Sequence, residues 1–251
     1  MIYRDDCITG ARQSMAAETA DLMICDPPFG IGETEFQHLY NRKASNVVDG
    51  YVQAPDDYHT FTYDWMTEVK RVMKPNASLY VVSGWTHLIH ILNVIEELGF
   101  HTVNHLIWKY NFGVYTKRKY VSSHYHILYL TKSPKAKPTF NTTCRLSPED
   151  RTEEGRSLLY QDMEDVWVIN REYRPGEKKN CNKLPDALVE KMILYSSNAG
   201  DMVCDFFLGN FTTALVAKRL GRIPAGFELN PESFARGMEK LQQSVGLHCT
   251  G

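Results

Sequence analysis

"MICDPPFGIG", residues 23–32, is an apolar run that stops on a carboxylate. Asp26 is followed at once by Pro27 and Pro28, then by Phe29 and two glycines. The run from Asp21 to Asp26 has the length and apolar content of a buried strand. Proline has no N–H and a fixed φ, so neither Pro27 nor Pro28 can extend a ladder. The strand must leave its sheet here, and the backbone beside the carboxylate is stiff. Ligands of open α/β sheets bind beyond the carboxyl ends of the strands. This exit is therefore a candidate site.

Working outward, "DDYHTFTYDWMTEVKRVMKP" (56–75) reads as a helix. Phe61, Trp65, Val69 and Val72 recur at helical spacing, and Pro75 ends the pattern. A strand at 78–84 and a helix at 86–99, stopped by Gly99, come next. Strands are expected at 100–109 and 124–132, a helix at 185–197 and a strand at 201–207. A helix at 212–221, a strand at 222–229 and a helix at 231–243 complete the pattern. Such alternation predicts the α/β class, with βαβ units around a mainly parallel sheet. Two stretches interrupt it. Residues 30–55 are rich in Gly, Asn and polar groups, and 133–180 show no clear periodicity. Loops this long are often lids or binding loops. One domain over 1–251 is expected, with a lid-like loop at 30–55 and a small insertion at 133–180.

No apolar run approaches the length of a membrane span. The opening residues "MIYRDDCITGARQ" lack the basic and apolar regions of a signal peptide. Cys7, Cys25, Cys144, Cys181, Cys204 and Cys249 form no C-x-x-C pair, so neither a zinc ribbon nor a redox motif is indicated. Cys25 and Cys204 sit in apolar runs and read as small buried hydrophobes. A cytoplasmic protein with no membrane association and no metal is expected.

The net charge of −2 argues against an overall basic nucleic-acid binder, but its distribution is uneven. No Asp or Glu lies between Glu97 and Glu149, whereas Lys109, Lys117, Arg118, Lys119, Lys132, Lys135, Lys137 and Arg145 do. "YNFGVYTKRKYVSSHYH" also interleaves aromatics with cations. A localised polyanion-binding face is one reading, and a solvated surface with a chance bias is the other. His101, His105, His124 and His126 lack metal-ligand spacing and read as polar surface or core residues. Of the four tryptophans, Trp65, Trp108 and Trp167 read as core, and Trp85, just past a strand end, as the exception.

A second strand ends like the first. In "MVCDFFLGNFTT" (202–213), Asp205 leads into Gly209 and a helix opened by Thr212 and Thr213. Glycine permits a close approach of backbone to ligand, and a helix N-terminus offers free N–H groups. The following strand ends near Glu228, where nucleoside-binding α/β units place an acid that accepts from ribose hydroxyls. The stretch is not G-x-G-x-x-G, which argues against a nicotinamide dinucleotide. An ordinary βαβ turn with a surface glutamate is the plainer alternative.

"DPPF" suits the activation of an amine. An amine conjugated to a base ring is a poor nucleophile because its lone pair is delocalised. If Asp26 and the Pro27 carbonyl each accept one of its N–H hydrogens, the pyramidal geometry that frees the lone pair is favoured. Phe29 can stack on the ring. An aspartate that accepts N–H bonds stays ionised. The prolines alone could be a strand terminator, but that leaves the flanking Asp and Phe unexplained.

Together the two motifs resemble the amino-methyltransferases that methylate exocyclic amines of DNA bases with S-adenosylmethionine. The family's catalytic Asp/Asn/Ser-Pro-Pro-Tyr/Phe/Trp is matched by Asp26, Pro27, Pro28 and Phe29. Its cofactor motif Asp-Pro-Phe-x-Gly-Ser-Gly-Thr-Thr is matched by "DFFLGNFTT", residues 205–213. The catalytic motif comes first, which resembles the circularly permuted β arrangement of that family. "IYRDDC" (2–7) resembles its opening strand, whose aspartate, here Asp6, approaches the cofactor adenine; Cys7 follows it. "KLPDALVEKMI", from Lys183, Leu184 and Pro185 onward, resembles the helix before the cofactor strand. "LGRIPAGFELNPE" carries the ribose-binding acid Glu228, with Leu229 beside it. The match covers roughly 2–30, 56–131 and 180–241, and omits 133–178.

The resemblance implies a Rossmann-like methyltransferase fold with helices on both faces of the sheet. It implies S-adenosylmethionine as cofactor, held by Asp6, Cys7, Asp26, Lys183, Leu184, Asp205, Phe206, Phe207, Gly209, Asn210, Thr212, Thr213, Glu228 and Leu229. It also implies DNA as substrate, gripped by Lys109, Lys117, Arg118, Lys119, Lys132, Lys135 and Lys137. The insertion occupies the place of the family's target-recognition region. An aspartate-led motif is more typical of adenine-N6 than of cytosine-N4 enzymes. A homodimer is implied, and a restriction endonuclease partner is left open. This chain departs from the family at Phe206 for Pro, Asn210 for Ser and Phe211 for the second Gly. Phe211 adds bulk to the cofactor loop, while Asn210 is expected to cap the following helix. RNA or a protein amide as substrate, or a non-catalytic DNA-binding subunit, are the rival readings.

Overall fold

The computed structural model describes residues 1–28, 55–111, 113, 115, 117–145, 160–171 and 183–244. Phe29 and all but Pro55 of the expected lid lie outside the described residues, as do 146–159 and 172–180 of the insertion. The elements run β1 (Ile2–Tyr3), α1 (Cys7–Ser14), β2 (Ala20–Cys25), α2 (Tyr58–Val72), β3 (Met73–Ser83), α3 (Leu88–Glu97), β4 (His101–Lys109) and β5 (His124–Thr131). A 3-10 turn (Tyr160–Met163) leads to β6 (Val166–Val168). Then come α4 (Asp186–Ser196), β7 (Met202–Asp205), α5 (Thr212–Arg219), β8 (Ile223–Phe227) and α6 (Pro231–Gln243).

The eight strands form one sheet in the order β1-β8-β7-β2-β3-β5-β4-β6. All neighbours are parallel except β3–β5 and β5–β4, so β5 alone among them runs backwards. Alternation along the strands sorts the core into two layers. Met23, Cys25, Leu79, Val81, Leu128 and Cys204 face α1, α2 and α3. Leu22, Ile24, Tyr80, Val82, Ile127 and Val203 face α4 and α5. Helices thus cover both faces, as expected for the Rossmann-like class.

The element boundaries have local causes. Asp57 caps α2 by accepting from the Thr60 N–H at 3.0 Å, and Asn230 caps α6 by accepting from Glu232 and Ser233. Helix α2 stops at Val72, before Pro75. Pro75 lies in β3, where the register shifts from Ala20↔Met73 to Leu22↔Ser78. A proline is tolerated at such an irregularity because no ladder N–H is required there. Glu68 joins the first two helices through Arg12 at 2.9 Å and Arg71 at 2.7 Å, and Arg71 also donates to the carbonyls of Ala11 and Met15 at the end of α1. Neither α1 nor β6 has a periodicity that marks it in the sequence. One is a single eight-residue helix and the other is three residues long. Among the described residues no helix is long and apolar enough to cross a membrane.

Candidate active site

Strands β2 and β7 are parallel neighbours, paired Leu22↔Val203 and Met23↔Cys204. Leu22, Ile24 and Val203 face the α4–α5 side; Asp26 follows Cys25 at the end of β2, and Asp205 ends β7. The two acidic strand ends, far apart in the chain, therefore stand next to each other. Gly226 makes room for Asp205 from β8: a Cβ there would lie 2.0 Å from the Asp205 carbonyl oxygen, and its φ is +147°.

The two carboxyl groups differ. Asp205 accepts from the Phe207 N–H at 2.8 Å and from the Thr213 hydroxyl at 2.7 Å. Burial still pushes its pKa up to about 7, against those two hydrogen bonds and with help from the charge of Glu228. Asp26 has an Oδ1 out of solvent with no hydrogen-bond partner among the described residues. Burial, and then the charge of Asp205, drive its pKa well above the usual carboxylate range, while Arg171 pulls it down. The sequence leads us to expect that Asp26 stays ionised by accepting N–H hydrogens of a bound amine, and the contrast with Asp205 in the protein alone has a plain reason. The residue two past Asp205 is Phe207, which has an N–H to give; the residue two past Asp26 is Pro28, which has none.

Beyond Asp205 the loop closes on Glu228, whose Oε2 accepts from the Gly209 N–H and Oε1 from the Asn230 N–H, both at 2.7 Å. Phe211 takes a left-handed conformation, φ +64°, and its ring is fully buried. It packs with Leu208, Ala214 and Leu241 and meets Phe234 edge-on at 6.1 Å. Its bulk thus lies in the α5–α6 contact. The helix begins only at Thr212, with Phe211 at the cap position and no side-chain cap, so Asn210 comes one residue too early to cap it. Phe206 is buried against Phe227, ring centroids 5.3 Å apart, while Phe207 is half-buried edge-on to Trp65 at 5.3 Å. Thr212 is buried at the helix start.

The remaining cofactor candidates surround these strand ends. Asp6 follows β1, next to β8, and its Oδ1 accepts from the Ile8 and Thr9 N–H groups at 3.0 Å, capping α1. Cys7 is buried behind it. Lys183 pairs with Asp186 at 3.2 Å before α4, beside a buried Leu184. Leu229, in contrast, is 57% exposed.

The basic stretch is split by the reversal of β5. Lys109 ends β4 and lies, with the connection carrying Lys117, Arg118 and Lys119, at the edge where Asp26 leaves the sheet. Lys132, Lys135 and Lys137 follow Thr131, which pairs with Ser78 near the other edge. There Lys132 contacts Glu18 at 3.5 Å, and the Lys137 N–H donates to Asn76. The single continuous face expected from the sequence is therefore two patches. One group the sequence did not signal is Arg171, in the aperiodic insertion. Its guanidinium lies 4.6 Å over the Tyr110 ring and 5.5 Å over the Tyr125 ring, and its Nη2 donates to the Tyr125 hydroxyl at 3.1 Å.

This donor and acceptor set fits a nucleoside bearing a positive charge. Asp6, Asp205 and Glu228 make the edge acidic, and the orphaned Asp26 oxygen can accept a donor brought by a ligand. Among the described residues no group of three or more His, Cys, Asp or Glu could hold a metal ion.

Comparison with known proteins gives a consistent result. A family model described as DNA methylase, the N6/N4 methyltransferases, matches residues 20–239. The chain is 30% identical over 234 residues to the type II methyltransferase M.HpaI of Haemophilus parainfluenzae, covering 92% of this chain and 71% of that protein. It is 31% identical over 239 residues to the type II methyltransferase M.HinfI of Haemophilus influenzae, covering 90% and 64%. Among solved structures, the M1.HpyAVI–SAM complex matches with a TM-score of 0.67 and 21% identity, covering 96% of this chain and 98% of that one.

Proposed function

The chain belongs to the N6/N4 DNA methylase family, and on that premise we propose that it methylates N6 of adenine in DNA, using S-adenosylmethionine. One observation carries the assignment of the site: the buried Asp26 Oδ1 has no donor among the described residues, and Asp26 and Asp205 follow neighbouring strands. An amine N–H from the target base satisfies that oxygen, and the Pro27 carbonyl accepts the second hydrogen. Both acceptors act on the same nitrogen, so its lone pair is freed for attack in line. Phe29, by its place in the motif, holds the base ring.

Bound next to them, the cofactor supplies a methyl group on a sulfonium. Glu228 accepts from its ribose hydroxyls, while Asp6, Asp205 and Gly209, with Thr212 and Thr213 at the α5 N-terminus, surround the rest. The protein's contribution is to place two reactants. A base reaches this depth only by leaving the duplex, which costs a few kcal/mol; stacking on an aromatic ring offsets roughly 1–3 kcal/mol of that.

In this reading Lys109, Lys117, Arg118 and Lys119 hold the DNA backbone, and residues 133–180 carry target recognition. An insertion this small reads few bases alone, so the working form is a homodimer. The type II names of both relatives support a restriction–modification setting in the cytoplasm, with an endonuclease of the same specificity as cellular partner. The aspartate at position 26 is the reason for preferring adenine. Mass spectrometry of nucleosides from DNA incubated with enzyme and cofactor tests this. N6-methyladenine is expected; N4-methylcytosine would transfer the assignment to cytosine, and neither product would refute amine methylation of DNA.

A further inference from the structure

We propose that Trp85 is a DNA-contacting residue whose exposed indole stacks on a nucleobase left unstacked when the target base swings out of the duplex. The inference rests on DNA being the substrate, as assigned above.

Trp65, Trp108 and Trp167 are core residues, 0%, 2% and 7% exposed. Trp85 is 82% exposed and makes no ring contact among the described residues. Its backbone is nonetheless held. Ser83, buried at the end of β3, donates through Oγ to the Gly84 carbonyl at 2.8 Å, and the Trp85 carbonyl accepts from the Leu88 N–H at 3.4 Å. Between Trp85 and Leu88, His87 stacks on the buried Tyr58 ring, centroids 4.2 Å apart. A large flat apolar side chain is thus displayed in solvent from an anchored turn. It adds nothing to the core, and stacking on a base is a contact its flat face suits.

Sheet order decides what lies beside it. Strand β3 sits between β2 and β5. On the β2 side Cys25 pairs with Val81, so Asp26 directly follows that pair and Trp85 leaves the same rim just past Ser83 and Gly84. On the β5 side Ser83 pairs with His126, which pairs in turn with Ile107 of β4. The connection from β4 to β5 therefore leaves and re-enters the sheet at this rim too. It carries Tyr115 and Tyr120, 78% and 100% exposed, around the exposed Lys117, Arg118 and Lys119. Along the rim the order is Asp26, Trp85, then this aromatic and cationic connection. Adjacent strands are about 4.8 Å apart, so the strip from β2 to β4 spans a few nucleotides of a DNA strand at about 3.4 Å each. The cations neutralise phosphates, and the indole between them and Asp26 meets bases. A base that leaves its helix uncovers the faces of the bases it was stacked on, and a ring that covers such a face recovers part of the unstacking cost.

The test uses the full chain and two probes. One is a short single-stranded oligonucleotide of mixed sequence; the other is a strand of the same length built from abasic residues, which keeps the phosphates and lacks the bases. Binding is read by fluorescence anisotropy. Trp85→Ala binds the base-bearing strand roughly five- to a hundredfold more weakly than wild type, and binds the abasic strand as wild type does. Trp85→Phe recovers part of the loss, because a flat ring remains. In wild type, the tryptophan emission that acrylamide reaches, absent from Trp85→Phe, is quenched by the base-bearing strand and not by the abasic one. Equal affinity of wild type and Trp85→Ala for the base-bearing strand, or an equal loss on both strands, overturns the proposal. If Trp85→Ala does not fold, emission left untouched by the base-bearing strand does the same. Shielding from acrylamide in DNA-free protein that disappears on dilution assigns the indole to a contact between two copies of the chain and also overturns it. Wild-type protein that methylates no DNA amine refutes the function above, while the comparison of the two strands still decides whether Trp85 stacks on bases.

Discussion

The ring of Phe211 fills the space that a Cβ on Gly237 would take: such an atom would lie 2.2 Å from Phe211 Cδ2. The bulky departure in the cofactor loop and a glycine in the last helix are thus one adaptation. Phe211 bears a left-handed backbone, unfavourable for a residue with a Cβ, and its burial between α5 and α6 offsets that. Gly237→Ala forces the ring out of a packed cluster and is expected to destabilise the fold by about 1–3 kcal/mol. The double variant Phe211→Leu/Gly237→Ala recovers part of the loss, because the smaller side chain vacates the contested space. Urea unfolding of the three proteins measures this. A neutral Gly237→Ala would show that the contact does not constrain the loop.

Asp205 gives stability an unusual pH dependence. Its folded pKa of about 7 lies above its ordinary value of 3.8. Between those values the folded chain holds a proton that the unfolded chain has released. Stability from this group is greatest at the acid end of the window and is lost as pH rises toward about 7. Asp205→Asn removes the term. The stability of wild type relative to Asp205→Asn should fall between about pH 4 and pH 7 and then level off, read by denaturant titration at several pH values. A difference that grows with pH would contradict the burial of this carboxyl.

Much of this was legible from residues 23–32 and 202–213, because a strand that ends on a carboxylate announces where the sheet opens. The structure sets those two strand ends side by side through the pairing of β2 with β7. Three features were not legible. The basic residues lie within a short segment, and only the reversal at β5 sends Lys132, Lys135 and Lys137 to the other edge. Arg171 has no pattern around it, since two aromatic rings from distant strands create its environment. The charge state of Asp26 depends on which neighbour can donate an N–H, and the prolines that make its motif recognisable are the residues that cannot.

Asp26 should trade stability for activity. A buried carboxyl oxygen without a donor among the described residues is costly to ionise, so Asp26→Asn is expected to melt at a higher temperature than wild type at pH 8. The gain should shrink toward pH 5 as the wild-type carboxyl takes up its proton. Methyl transfer should drop by roughly 10²–10³-fold, the scale for losing one aligned electrostatic contact, while cofactor binding by calorimetry persists. Thermal melts at both pH values, with the transfer assay, check this. Retained transfer in Asp26→Asn would remove the residue from its assigned place.

The division of the basic stretch predicts a division of labour on DNA. Lys117, Arg118 and Lys119 belong to the connection at the edge where Asp26 leaves the sheet, whereas Lys135 and Lys137 follow a strand that has carried the chain away. Each phosphate contact removed lowers the salt dependence of binding by about one in the log–log slope. Replacing Lys117, Arg118 and Lys119 by Gln should weaken DNA binding steeply at low salt and flatten that slope by up to about three. Replacing Lys135 and Lys137 should leave the slope near its wild-type value, since a duplex seated over Asp26 does not reach the opposite edge. Fluorescence anisotropy across a salt series separates the two sets. Equal flattening by both would require DNA to wrap around the sheet, and Lys132, beside Glu18, would then be the residue to replace next.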